Sequence, residues 1–225
     1  MTQKHPEADQ SASLDGPNPV PVRVIRWILA IGAITGLVSA NWSLAFVSTV
    51  TFFLTLLPRY IAGWLAIRLP GSFLVAITLF IFGTIFLGEA FDFYERYWWW
   101  DVVLHGGSAM GFGLIGFLFV FMLFEGDRFA APPTAIAFMA FATAVTIGAV
   151  WEIFEFAMDQ LFGLNMQKSG LVDTMWDLIV DCVGASIGAF AGYVHLRGRE
   201  MGGLTALIRA FIAQNRSLFS RSDQD

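Results

Sequence analysis

The sequence predicts an all-α fold: a polytopic integral membrane helix bundle with six transmembrane helices and both termini cytoplasmic. Three observations lead there. The 225 residues are 56% hydrophobic and only 14% charged, with a mean hydropathy of +0.65, whereas charged residues make up about a quarter of a soluble domain. Apolar runs close to the ~20 residues that cross hydrocarbon as a helix recur at 27–41, 42–58, 71–90, 102–124, 134–158 and 174–196. The basic residues alternate between the two sides that these runs define. With the N-terminus inside, Lys4, Arg23, Arg26, Arg59, Arg68, Arg128, Arg197, Arg199, Arg209, Arg216 and Arg221 fall on the cytoplasmic side, and only Arg96 and Lys168 outside. Lys and Arg in short loops are retained in the cytoplasm, so this bias sets the orientation.

Taken in order, residues 1–20 are polar and rich in Pro, Gly and Ser, which predicts a disordered cytoplasmic tail. The six-helix domain follows over 21–197. Its first run ends in "LVSANWS", where Val38, Ser39 and Ala40 would suit a signal peptidase. The polar lead is long for a signal peptide, so the first span is expected to be retained. Between Pro58 and Pro70, "RYIAGWLAIRL" has Ile61, Trp64 and Leu65 at helical spacing, as in a short helix lying in the inner interface. "FDFYERYWWW" at 91–100 has the composition of an aromatic belt at the outer surface. Residues 198–225 form a basic, amphipathic cytoplasmic tail, with Leu204, Leu207, Ile208, Phe211 and Ile212 on one face. Cys182 lies inside the last span and is the single cysteine, so no intrachain disulfide forms.

The formal net charge of −5 becomes informative once its carboxylates are placed. Span three ends outside with Glu89 and Asp92, and span four begins there with Asp101 and His105. Span five ends outside with Glu152, Glu155 and Asp159, and span six begins with Asp173, Asp177 and Asp181. Separate helices thus carry their ionisable groups at one level, in the outer half of the membrane. Asp101 and His105 are four apart, Glu152 and Glu155 three apart, and the three aspartates of span six recur every four residues, so each set shares a helix face. These faces must turn inward, since a carboxylate facing lipid near the centre costs on the order of 3 kcal/mol. At ~1.5 Å per residue, Asp181 lies about 12 Å deeper than Asp173. Gly184, Gly188 and Gly192 continue span six, and "HGGSAMGFGLIG" runs through span four. Small residues at that spacing let helix backbones approach closely in lipid.

Carboxylates and an imidazole converging from three helices suit a divalent metal, Mn, Zn, Mg or Fe, with Asp101, His105, Glu152, Glu155, Asp177 and Asp181 as ligands. Glu89 and Asp173 are secondary members. A metal there would neutralise the clustered charge and activate a water, and His105, Glu152 and Asp177 are the residues expected to take part in catalysis. No Walker A, dinucleotide fingerprint, HExxH, CxxC or haem motif occurs, and nothing points to nucleic acid.

The order "YWWWDVVLHGGSAMGFG", "WEIFEF" and "MQKSGLVDTMWDLIVDCVGASIG" resembles the YjdF-like bacterial inner-membrane proteins and, more distantly, VanZ-like membrane proteins. The shared pattern falls on Asp101, His105, Glu152, Glu155, Asp177, Asp181, Gly184 and Gly188, over roughly residues 85 to 192. Asp181 and Glu155 are acidic where VanZ-like proteins often carry an amide. The resemblance implies a bacterial inner (cytoplasmic) membrane location and no particular reaction.

The expected function is a metal-dependent intramembrane hydrolase or transferase acting on a lipid or lipid-linked substrate from the periplasmic side. Two alternatives remain open on the sequence: a transporter or proton-coupled permease using the same carboxylates, and a non-catalytic membrane partner. The partner expected in every case is the lipid bilayer, and the oligomeric state is not legible.

Overall fold

The structure, a computed structural model, describes residues 17–124, 131–200 and 202–219; the first sixteen residues and the end of the tail lie outside them. The described residues are helical, with no strand among them. Six helices are long and apolar enough to cross a membrane: Val20–Val38, Trp42–Trp64, Gly71–Ala90, Trp99–Phe124, Pro133–Phe162 and Leu171–Leu196. The fold class expected from composition is therefore the one observed. The helices extend past the limits of the apolar runs because backbone hydrogen bonding does not stop where hydropathy does. Asp101, Asp159 and Asp173 accordingly lie inside helices, near their ends.

The chain divides into two compact units, with the boundary between Phe82 and Gly83. In the first, α1 (Val20–Val38) starts after Pro19 with Pro21 in its opening turn, where a missing N–H costs nothing. α2 (Trp42–Leu54) is capped by Asn41, whose side chain accepts from the Leu44 N–H at 3.1 Å. The two helices cross at Gly36, where a Cβ would strike the backbone of Ala45.

α2 stops at Thr55, and α3 (Leu57–Trp64) begins two residues on. Arg26 in α1 explains the break: its guanidinium donates to the Thr55 carbonyl at 2.7 Å and to the Thr55 hydroxyl at 3.1 Å. That carbonyl is one of the orphans any helix end leaves, and a cation is a favourable partner for it. The short helix expected between Pro58 and Pro70 is α3, which includes Pro58 in its first turn and ends at Trp64.

α4 (Gly71–Ile81) continues into a nine-residue π-helix, Phe82–Ala90. Its wider winding is rare beyond a single turn. Gly83 and Gly88 occur within it, the first against the Trp100 ring and the second against the Tyr94 ring.

The second unit is built on α6 (Trp99–Phe124), α7 (Pro133–Phe162) and α8 (Leu171–Leu196), preceded by α5 (Phe93–Arg96). Each of the three long helices packs on the other two. The α6/α8 contact is the closest. A Cβ on Gly184 would meet the Gly106 carbonyl, and one on Gly188 the Met110 carbonyl. Beyond them a Cβ on Gly192 would enter the Phe117 ring. α6 meets α7 where Gly116 faces Ala140 and Thr143. Ala109, Ala144 and Ala185, one from each helix, form a buried small-residue core. α9 (Gly202–Gln214) and α10 (Arg216–Phe219) place the tail's apolar face against protein: Ile208 is fully buried and Phe219 stacks on Phe121 of α6.

Candidate functional site

α6 brings Asp101 and His105 into the second unit from its first two turns, α7 brings Glu152 from near its outer end, and α8 brings Asp177 and Asp181. At ~1.5 Å per residue, Glu152 lies about 15 Å in from the end of α7 and Asp181 about 15 Å in from the start of α8, so the two share one depth. His105 is 9% exposed, Glu152 and Asp177 4%, and Asp181 1%. One ligand atom from each of Asp101, His105 and Asp177 falls within 4.8 Å of the others. His105 Nδ1 is 3.3 Å from Asp181 Oδ1, while Nε2 is 3.9 Å from Asp101 Oδ1 and 4.0 Å from Glu152 Oε1.

The hydrogen bonds inside this cluster are incomplete. Both carboxylate oxygens of Glu152 and Oδ2 of Asp181 are buried without a hydrogen-bond partner. The Thr174 hydroxyl interacts with Glu152 without closing a bond of normal geometry, and its oxygen accepts from Gln167 Nε2 at 2.7 Å. Buried polar groups are almost always paired, because desolvation is otherwise uncompensated. The two unpaired oxygens of Glu152 beside the imidazole therefore require a proton or a cation, and the donor set of one nitrogen and several oxygens fits a divalent ion.

The other residues expected at the site lie around this centre. Glu155 is half-buried, and its carboxylate accepts from the Trp151 indole N–H at 2.9 Å, one turn back on α7. Asp173 is half-buried one turn outward of Asp177, and Glu89 is exposed on the π-helix. Asp159 has a local task. Its two oxygens accept from the backbone N–H groups of Met166 and Gln167 at 2.7 and 2.9 Å, closing the loop between α7 and α8. α7 itself ends at Gly163, whose φ of +66° glycine adopts without strain.

Three residues escaped the sequence reading. Gly148, one turn before Glu152, packs directly against the Asp181 carboxylate. A glycine in a helix interior is disfavoured by about 1 kcal/mol against alanine, which was its visible signal. Tyr94, expected as part of an aromatic belt, lies near Asp101, Glu89 and Glu155. Burial, reinforced by those negative charges, pushes its phenol above the usual value, so it stays a protonated donor. Lys168 donates to the Tyr94 carbonyl at 3.2 Å and holds its ammonium 4.9 Å from the centre of the Tyr94 ring.

Fold and site together define a polytopic helical membrane protein with a buried carboxylate–imidazole centre between three of its spans. The chain belongs to the family described as "Predicted membrane protein (DUF2238)", which residues 21–198 match. It is also similar to an uncharacterised protein of Thermotoga maritima, 34% identical over 113 residues, or 50% of this chain. The match spans 57% of that relative's length. No solved structure matches the chain.

Proposed function

We propose that the protein is a metal-dependent intramembrane enzyme of the bacterial inner membrane, a hydrolase or transferase acting on a lipid or lipid-linked group from the periplasmic side. The observation that carries this reading is the buried, hydrogen-bond-deficient Glu152 facing the ligand atoms of Asp101, His105 and Asp177. The separations of 3.9 and 4.0 Å around His105 Nε2 are too long for hydrogen bonds. They leave room beside Nε2 for an ion that Asp101 and Asp177 would hold together with His105. An imidazole among carboxylates favours Zn, Mn or Fe over Mg.

Asp101, His105 and Asp177 would hold the ion. A bound ion there supplies Lewis acidity and a water that ionises near neutral pH. Glu152 is then the general base, since both of its oxygens are buried without a closed hydrogen bond and Oε1 lies 4.0 Å from His105 Nε2. The Tyr94 phenol stands nearer the outer surface as a neutral donor to the substrate's polar group. The centre's lying within membrane spans supports a lipid or lipid-linked substrate. The YjdF-like resemblance of the same segment supports the site and is silent on the reaction.

Elemental analysis of the protein purified in detergent tests the reading. About one divalent ion per chain is expected in the unaltered protein, and none above background in His105→Ala. Absence of any ion from the unaltered protein overturns it. Proton-coupled flux in proteoliposomes that vanishes in Asp177→Asn would replace the enzyme with a transporter.

A further inference from the structure

We infer that Asp181 is the positioning residue of this centre and not one of its ligands: it holds His105 through Nδ1 so that Nε2 faces the ion, and position 148 is glycine to make room for it. The inference rests on the metal-dependent reading above and assigns roles that the spacing of the acids does not distinguish.

The two nitrogens of His105 meet different surroundings. Nδ1 is in hydrogen-bonding contact with Asp181 Oδ1 at 3.3 Å. Nε2 has no partner that close, and faces Asp101 and Glu152 at 3.9 and 4.0 Å. In an imidazole the hydrogen bond at one nitrogen fixes which nitrogen offers its lone pair, and histidine ligands commonly give the other N–H to a carboxylate. With Nδ1–H donated to Asp181, the lone pair belongs to Nε2.

Geometry also removes Asp181 from the ligand set. The ring nitrogens point away from one another, so an ion about 2.1 Å beyond Nε2 lies roughly 7 Å from a group bonded to Nδ1. Neither oxygen of Asp181 can span that gap. Its remaining oxygen, Oδ2, is buried without a hydrogen bond and rests against Gly148 of α7, where a Cβ would collide with it. Asp181 is 1% exposed, and one turn further along α8 Gly184 presses on the Gly106 carbonyl beside His105. The carboxylate is therefore enclosed by α6 and α7, and its hydrogen-bonding contact with the centre is to the His105 ring.

Cadmium is the probe, in its isotope of nuclear spin one-half, bound to full-length protein whose histidines carry the heavy nitrogen isotope. Scalar coupling between cadmium and nitrogen identifies the ring atom that carries the ion, with the His105 signal assigned by its loss in His105→Gln. The expected result is coupling to Nε2 with the hydrogen retained on Nδ1. Asp181→Asn keeps the shape and an accepting oxygen, so the ion stays on Nε2 while affinity falls about 10-fold. Asp181→Ala and Gly148→Ala release the ring, lowering affinity about 10–100-fold and spreading the coupling over both nitrogens. A purely structural role for Asp181 would leave the coupling on Nε2 in every folded variant. Coupling to Nδ1 in the unaltered protein overturns the inference, as does cadmium affinity within twofold of the unaltered protein in Asp181→Asn or Asp181→Ala. Both results leave the metal reading standing. Failure of the unaltered protein to bind cadmium at all overturns both.

Discussion

At Glu152 a carboxylate is buried to 4% exposure with neither oxygen hydrogen-bonded, an arrangement that stability alone does not select. Leaving a buried polar group unpaired costs about 1–3 kcal/mol, and more for a charge. Glu152→Gln removes the charge and gives the neighbouring carboxylates two N–H donors. In chelator-treated protein this variant is expected to unfold at a higher temperature than the unaltered chain, by an amount equivalent to about 1–3 kcal/mol. With metal supplied this advantage is expected to shrink, because an ion held by Asp101, His105 and Asp177 offsets the Glu152 charge in the unaltered chain and stabilises its native state. Thermal unfolding in detergent with and without chelator measures both arms; a lower midpoint for the variant in chelator would contradict this account of Glu152. Four-residue spacing makes the sharing of faces by Asp101 and His105, and by Asp177 and Asp181, legible in the sequence. It did not separate Glu152 from Glu155. Both lie on one side of α7, but only Glu155 has an indole donor one turn back, and that donor draws it aside. Gly148 was illegible for a related reason: its task is defined by a side chain on another helix.

Among the helices, the decisive element pair is α6 with α8. Gly184 and Gly188 oppose backbone carbonyls, so a side chain at either position meets main chain first, and at Gly184 the Ala109 methyl as well. Gly107, in the same glycine-rich stretch of α6, has nothing within 4 Å of where its Cβ would be. The two positions should therefore part company. Gly184→Val is expected to lose about 1–3 kcal/mol or more through overpacking and to weaken metal binding by separating His105 from Asp181. Gly107→Ala is expected to be neutral or slightly stabilising, since alanine is the better helix former by about 1 kcal/mol. Unfolding midpoints and metal titration of both variants decide the matter, and equal losses would mean that the seam is not what positions the centre. The glycine repeat of span six was legible because close helix contact in lipid demands small residues. The end of α2 at Thr55 and the π-winding of the third span were not legible. The first depends on Arg26 from another helix, and the second on a hydrogen-bond register to which hydropathy is blind.

Over the whole molecule, large apolar side chains such as Trp27, Val38, Trp98 and Leu161 are 70%, 84%, 84% and 75% exposed, a surface that only lipid can cover at low cost. The segments linking the six spans then face two compartments alternately, and charge distinguishes them. Translocating a basic loop is disfavoured, and by the order of the spans only Arg96 and Lys168 of the 13 basic residues fall on the side nearer the carboxylate centre. Arg96 is offset by Asp92 at 3.8 Å, and Lys168 lies in the field of Glu89 and Asp173, so even these add little to the positive charge of that side. The centre should consequently open to the periplasm, where a substrate in the outer leaflet reaches it without entering the cytoplasm. In a Cys182→Ser background, which removes the one native thiol, Lys168→Cys is expected to react with a membrane-impermeant maleimide in intact spheroplasts. Arg199→Cys, exposed after the last span, is expected to react only once the membrane is broken. The reverse pattern would turn the centre towards the cytoplasm and exclude a periplasmic substrate, leaving the geometry of the metal site untouched.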